Sequence, residues 1–242
     1  FLIEKNSFIF ESVEKGKIRG RYTIFGKNPD KIWEFNKKNS YLITNKTKKK
    51  IKGNPDKIIE KIIEDFKFKT PSNLPPICSL ISGYFSYDSI RYIEKIPNKC
   101  KDDLKLPDVR LLRPKTLIIH DNHKKKIFYI INTFNDEKIL NYKVKYLEIE
   151  SEINDLLIQA SLKKKNSYKD TKTNIKVKSN TSKNNFIKMV NRAKEYIKIG
   201  DIFQVVLSQR FEAKLSKKPL EIYKKLRVTN PSPFMYFFNF ED

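Results

Sequence analysis

Cysteine is nearly absent from this chain: Cys78 and Cys100 are the only two in 242 residues. They sit in no paired metal-binding spacing, so the plain expectation is a reduced, cytoplasmic protein. Long apolar runs are missing as well. None approaches the roughly 18 residues of a membrane span, and no charged-then-apolar leader is visible, so no membrane partner is expected. Arginine is scarce, supplying eight of the 51 cationic side chains. That matters because a net charge of +23 would ordinarily suggest nucleic acid, whose interfaces lean on Arg for bidentate base and phosphate contacts. Lysines scattered between apolar residues read instead as a solvated surface, and no nucleic-acid partner is expected. There is no Walker-type or dinucleotide glycine loop, and no Ser/His/Asp or Cys/His arrangement for nucleophilic catalysis.

What is present suffices for a buried core: 39% of the residues are hydrophobic, in a chain long enough for one large domain or two small ones. From residue 1 to about 132, short runs rich in Ile, Tyr and Phe alternate with Gly, Asn and Pro turns, which predicts strands. The clearest are residues 21–25, 41–44, 80–87, 116–120 and 126–132. One helix interrupts them, with Asn54 as N-cap, Pro55 at the first helical position, and Ile58, Ile59, Ile62, Ile63 and Phe66 at helical spacing. Strands outnumber helices and do not alternate with them regularly. The predicted fold class is therefore α+β, antiparallel sheets packed with helices, rather than a doubly wound parallel sheet.

After Asn132 the period changes, and Leu140, Val144, Leu147, Ile153, Leu156, Leu157 and Ala160 suit a long outer helix. Residues 163–180 are mostly Lys, Asn, Thr and Ser and read as a linker, leaving residues 1–162 as one domain and 181–242 as the opening of a second. There Phe186, Met189, Val190, Ala193, Tyr196 and Ile197 form one face of a helix that Gly200 can end in the left-handed conformation. A strand is expected next, with Phe203, Val205, Leu207 and Phe211 on one face and Gln204, Val206, Ser208 and Arg210 on the other. Residues 234–240 read as the start of another strand with nothing after it to pair with. Because Phe1 is also no initiator Met, a fragment is expected. His120 and His123 have a metal-like spacing, but the Asp121-Asn122 dipeptide between two strands is a hairpin signal, so a surface turn is expected there.

The stretch Gly200-Asp201-Ile202-Phe203-Gln204-Val205-Val206-Leu207-Ser208-Gln209-Arg210-Phe211, followed by Asn230-Pro231-Ser232-Pro233-Phe234-Met235, closely resembles the start of the chorismate-binding domain of the anthranilate synthase component I family. Three further segments are similar to that family in the same order. They are Glu11-Ser12-Val13-Glu14 running into Gly20-Arg21-Tyr22-Thr23-Ile24-Phe25-Gly26, then Gly83-Tyr84-Phe85-Ser86-Tyr87-Asp88 with Arg91-Tyr92-Ile93-Glu94, then Leu106-Pro107-Asp108-Val109-Arg110. One departure is Ser79-Leu80, where the family usually has a Gly pair.

The resemblance implies a tryptophan-sensing domain over residues 1–162. It implies that the whole enzyme is a lyase of tryptophan biosynthesis, turning chorismate and ammonia into anthranilate and pyruvate with Mg2+. Ammonia would come from glutamine through an amidotransferase partner subunit, component II, and tryptophan would inhibit by feedback. Gln204 falls at the active-site position where water-adding relatives usually carry Lys; its neutral amide can position a nucleophile or substrate but cannot act as a base. Ser12, Pro233, Phe234 and Met235 match the tryptophan-binding positions. A hydroxyl suits the polar end of an amino acid, Phe and Met give a polarizable wall for indole, and Pro231 and Pro233 stiffen that wall. Phe234 is often Tyr in relatives. The Mg2+ ligands and most chorismate contacts are expected beyond Asp242, so this chain alone is expected to be inactive. Aminodeoxychorismate synthase component I shares the fold and the Gln and stays open as an alternative, as does a free-standing amino-acid-binding regulatory module.

Overall fold

The computed structural model describes residues 4–12, 20–37, 39–45, 47–162, 175–215 and 217–240. Its elements run β1 (Ser7–Glu11), β2 (Tyr22–Asn36), β3 (Asn39–Ile43), β4 (Lys48–Ile51), α1 (Pro55–Asp65), β5 (Ser82–Phe85), a 3-10 turn (Tyr87–Tyr92), β6 (Val109–Asp121), β7 (Lys126–Ile131) and α2 (Tyr142–Ser161). There follow β8 (Val177–Ser179), α3 (Lys183–Lys198), β9 (Phe211–Ala213), α4 (Pro219–Thr229) and β10 (Met235–Asn239). The class is α+β, as the sequence predicts, and every strand pair is antiparallel.

β2 and β6 are the axis of the sheet and both are longer than the runs legible in the sequence. They pair from Tyr22 and Asp121 at one end to Phe35 and Val109 at the other. Each passes through a proline, Pro29 facing Pro114, and the register slips between Pro29 and Lys31. Proline cannot donate to a ladder and is tolerated in a sheet at such a bulge. The Asn28-Pro29 pair, a turn signal in isolation, therefore bends the strand without ending it. β1 and β3 flank β2, β5 and β7 flank β6, β4 extends the edge at β3, and β10 lies against β1.

Alternation along the paired strands builds a core on each face. Ile32 and Leu112 face one cluster with Phe8, Leu117, Ile119 and Ile130. Trp33, Phe35, Val109 and Leu111 face the other, which Ile62 of α1 covers. Two glycines are required by contact. A Cβ on Gly26 would lie 2.3 Å from Cζ of the fully buried Phe8, and one on Gly83 would lie 1.9 Å from the Arg110 carbonyl oxygen. Close backbone approach thus occurs at Gly83 itself, despite Ser79-Leu80 upstream.

The helices form where expected. α1 begins with Pro55 at its first turn, although the Asn54 side chain makes no capping bond. In α2 the Asn141 carboxamide does cap, accepting from Lys143 N and Val144 N, but Leu156 is the helix's one buried residue. α3 has Ser182 as N-cap, and Gly200 follows it at φ +86. The His120–His123 region is a hairpin corner in which Asp121 Oδ1 accepts from His123 N and Lys124 N, both at 3.0 Å.

Three expectations need correction. Residues 202–210 form no strand: the ladder begins only at Phe211 and is three residues long, pairing β9 with β8. β8 itself lies in the stretch 163–180 read as a linker, of which 163–174 fall outside the described residues. Finally, residues 234–240 are not an unpaired end, since β10 is in register with β1 from Met235–Glu11 to Asn239–Ser7. That pairing redraws the expected domains at 1–162 and 181–242. One unit comprises Phe1–Lys163 with Tyr223–Asp242, and the other Lys164–Ile222. Among the described residues no helix is long and apolar enough to cross a membrane.

Candidate functional site

β1 lies between β2 and β10, and its last residues open a cleft. Because β1 and β10 pair with Glu11 opposite Met235, the residue after Glu11, Ser12, meets the turn that precedes Met235. On the other flank β2 begins at Tyr22, preceded by Gly20, whose φ is +77, and Arg21. The result is a cleft of about 790 Å3 lined by Phe10, Glu11, Ser12, Arg21 and Tyr22 on one side and by residues 233–236 on the other. All of these belong to the sheet unit. Val13 and Glu14, part of the motif read from sequence, lie outside the described residues.

The chemistry of the cleft is divided. Met235 is buried while its neighbour Phe234 is 87% exposed, so this wall is apolar and Phe234 is open to be covered. Opposite it, the Ser12 hydroxyl oxygen is buried and has no hydrogen-bond partner among the described residues. A buried hydroxyl left unpaired costs about 1–3 kcal/mol, so a ligand that hydrogen-bonds Ser12 recovers that cost on binding. The neighbouring charges are already engaged. The buried Glu11 carboxylate accepts from Tyr223 Oη and Arg227 Nε of α4, each at 2.7 Å. Burial, and then this carboxylate, push the Tyr223 phenol well above the ordinary tyrosine range. Arg21 Nη2 donates to Asp121 Oδ2 at 2.8 Å, and its guanidinium sits 4.8 Å from the Tyr22 ring centroid. That hydrogen bond, with backbone amides of Lys124 and His123, holds the Asp121 carboxyl down to about 2.

The structure therefore brings together Ser12, Pro233, Phe234 and Met235, residues separated by more than two hundred positions. Phe10, Glu11, Arg21, Tyr22 and Tyr236 join them. Several of those stand inside the motifs quoted from the sequence; what the sequence could not reveal is the β1–β10 pairing that makes them one site. Gln204 belongs to the other unit. It lies exposed in the irregular segment of the second unit and hydrogen-bonds no other described residue. Among the described residues no group of three His, Cys, Asp or Glu side chains could hold a metal ion. The described residues thus do not fit the Mg2+ that the resemblance implies.

Comparison with known proteins bears on the same residues. The family model described as chorismate binding enzyme matches residues 6–242. The chain belongs to that family. It is 38% identical over 239 residues to "Anthranilate synthase component 1" of Acetivibrio thermocellus, covering 96% of this chain and 48% of that protein. It is 34% identical over 257 residues to "Anthranilate synthase alpha subunit 1, chloroplastic" of Oryza sativa subsp. japonica, covering 97% and 44%. The crystal structure of anthranilate synthase component I from Streptococcus pneumoniae superposes with a TM-score of 0.77 at 28% identity, covering 96% of this chain and 50% of that one. The chain thus spans about half the length of the relatives it matches.

Proposed function

We propose that this chain is the tryptophan-sensing and opening catalytic part of an anthranilate synthase component I. In the complete protein, chorismate and ammonia would become anthranilate and pyruvate, with ammonia delivered from glutamine by a partner subunit. The family membership and the activities named for its relatives support the activity. The observation that carries the sensor is the cleft in which the Ser12 hydroxyl, without a hydrogen-bond partner among the described residues, faces Pro233, Phe234 and Met235.

Free tryptophan suits that cleft on three counts. Its indole can cover Phe234 and reach the Met235 thioether, gaining apolar burial and a sulfur–aromatic contact. Its ammonium or carboxylate can satisfy Ser12. Its binding would also bridge the ends of the two strands that form the cleft, β1 and β10. Regulation then follows from linkage: a ligand that prefers one arrangement of these strands biases every site sensitive to that arrangement. Gln204 is assigned by resemblance to nucleophile positioning, and Mg2+ to ligands beyond Asp242.

The test uses the complete protein with chorismate, ammonium and Mg2+, following anthranilate fluorescence. Anthranilate should form, and added tryptophan should suppress it. Accumulation of aminodeoxychorismate instead of anthranilate would transfer the protein to the folate-pathway alternative. The 242-residue chain alone should make no anthranilate; turnover by it would show that the catalytic groups are all present within these residues.

A further inference from the structure

A second cleft, of about 700 Å3, opens on the α1 face of the sheet, where the end of α1 leaves β2 and β6 incompletely covered. Its apolar part is made by Trp33 from β2, Ile58 and Ile62 from α1, and Phe66, Phe68 and Phe134 from the adjoining segments, beside polar residues such as Asn132 and Thr133. The aromatic groups are organised, with Phe66 and Phe68 edge to face at 5.8 Å and Phe66 and Phe134 at 6.4 Å between centroids. One wall is held by charges that satisfy each other. The Arg113 guanidinium stacks 3.8 Å over the Phe134 ring and bonds both Asp30 and Asp136, while Lys31 also pairs with Asp136.

Two cations at the same cleft are not used in this way. Lys61 of α1 and Lys67 just beyond it line the opening, and neither pairs with a carboxylate among the described residues. The remaining lining carboxylate, Asp65, is a single charge against those two. The cleft thus joins a preformed aromatic slot to a net positive rim on a chain already strongly cationic, the arrangement that concentrates small anions carrying a flat apolar body. It is also separate from the cleft at Ser12, for the two share no lining residue.

We propose that this cleft is a second binding site and that it takes a small aromatic carboxylate, its ring against Trp33, Phe66 and Phe134 and its carboxylate at Lys61 and Lys67. Volume fits one such molecule, since ligand pockets run from about 300 to 1,000 Å3. An aromatic amine would meet two lysines at the rim and is excluded by the same charges.

Trp33 makes the test direct, being the only tryptophan in the 242-residue chain. 3-Phenylpropionate titrated into that chain should change Trp33 emission saturably, with calorimetry giving one site. Its neutral amide, and 2-phenylethylamine, should bind at least about tenfold more weakly. The double variant Lys61→Glu, Lys67→Glu should weaken the acid by about tenfold or more without lowering the thermal midpoint, because both side chains are exposed. Ser12→Ala should leave the affinity unchanged. A response that never saturates, an amide or amine that binds as well as the acid, an unaltered double variant, or loss of binding in Ser12→Ala would each overturn the proposal.

Discussion

Tyr223→Phe should be the most costly way to loosen α4 from the cleft by removing a single atom. Tyr223 and Glu11 are both about 8% exposed, and the phenol donates to the carboxylate at 2.7 Å. A hydrogen bond to a buried charge contributes about 1.5–3 kcal/mol, and deleting the donor leaves a carboxylate oxygen desolvated and unpaired. Arg227 donates to the same carboxylate at an equal distance, yet its side chain is 51% exposed. Solvent screening and the entropy of a long side chain reduce an exposed pair to about 0.2–1 kcal/mol. The two variants therefore separate burial from mere proximity. In urea unfolding followed by Trp33 emission, with a slope of about 2 kcal/mol/M, Tyr223→Phe should lower the midpoint by about 1 M and Arg227→Ala by less than half of that. An Arg227→Ala loss equal to or greater than that of Tyr223→Phe, at unchanged slope, would refute the reasoning.

Gly83→Ala should destabilise by the upper part of the about 1–3 kcal/mol seen for overpacking, because the added carbon meets a backbone oxygen at 1.9 Å that no rotamer change can move; a thermal midpoint within error of wild type would refute the close approach. Gly26→Ala should also destabilise, but less so in a Phe8→Leu background, since the clash is with the Phe8 ring; equal costs in both backgrounds would contradict that contact. Acid should act through Asp121, whose carboxyl is held down to about 2. The stability this gives is complete above the unfolded value of about 3.9 and is lost as pH falls from there toward 2, so Arg21→Gln should flatten that part of the pH–stability curve, and an unchanged curve would exclude the pair as its cause.

Local signals recovered the elements that stabilise themselves or face a core. Pro55 and the isoleucines of α1, the face of α3 and the glycine after it, and the hairpin at Asp121 all depend on residues close in sequence. Pairing is different. β2 and β6 run on through Pro29 and Pro114 because the two prolines face each other at a bulge in β2, which neither sequence segment reveals alone. Residues 202–210 fail in the opposite sense: they alternate like a strand, yet Phe203 is 99% exposed and no ladder forms before Phe211. Alternation describes a strand's faces; hydrogen-bonding neighbours make it a strand. For the site, the four residues expected to hold tryptophan were legible only through family resemblance. Their meeting depends on β10 docking against β1, an interaction across more than two hundred residues that carries no local mark.

The most direct measurement is a calorimetric titration of L-tryptophan into the 242-residue chain, its Ser12→Ala variant and its Met235→Ala variant. One molecule should bind per chain, and each substitution should weaken it by about tenfold, the equivalent of about 1.4 kcal/mol for one lost hydrogen bond or one lost thioether contact. Undetectable binding, or affinities equal in all three proteins, would contradict the assignment of the cleft at Ser12 as a tryptophan sensor.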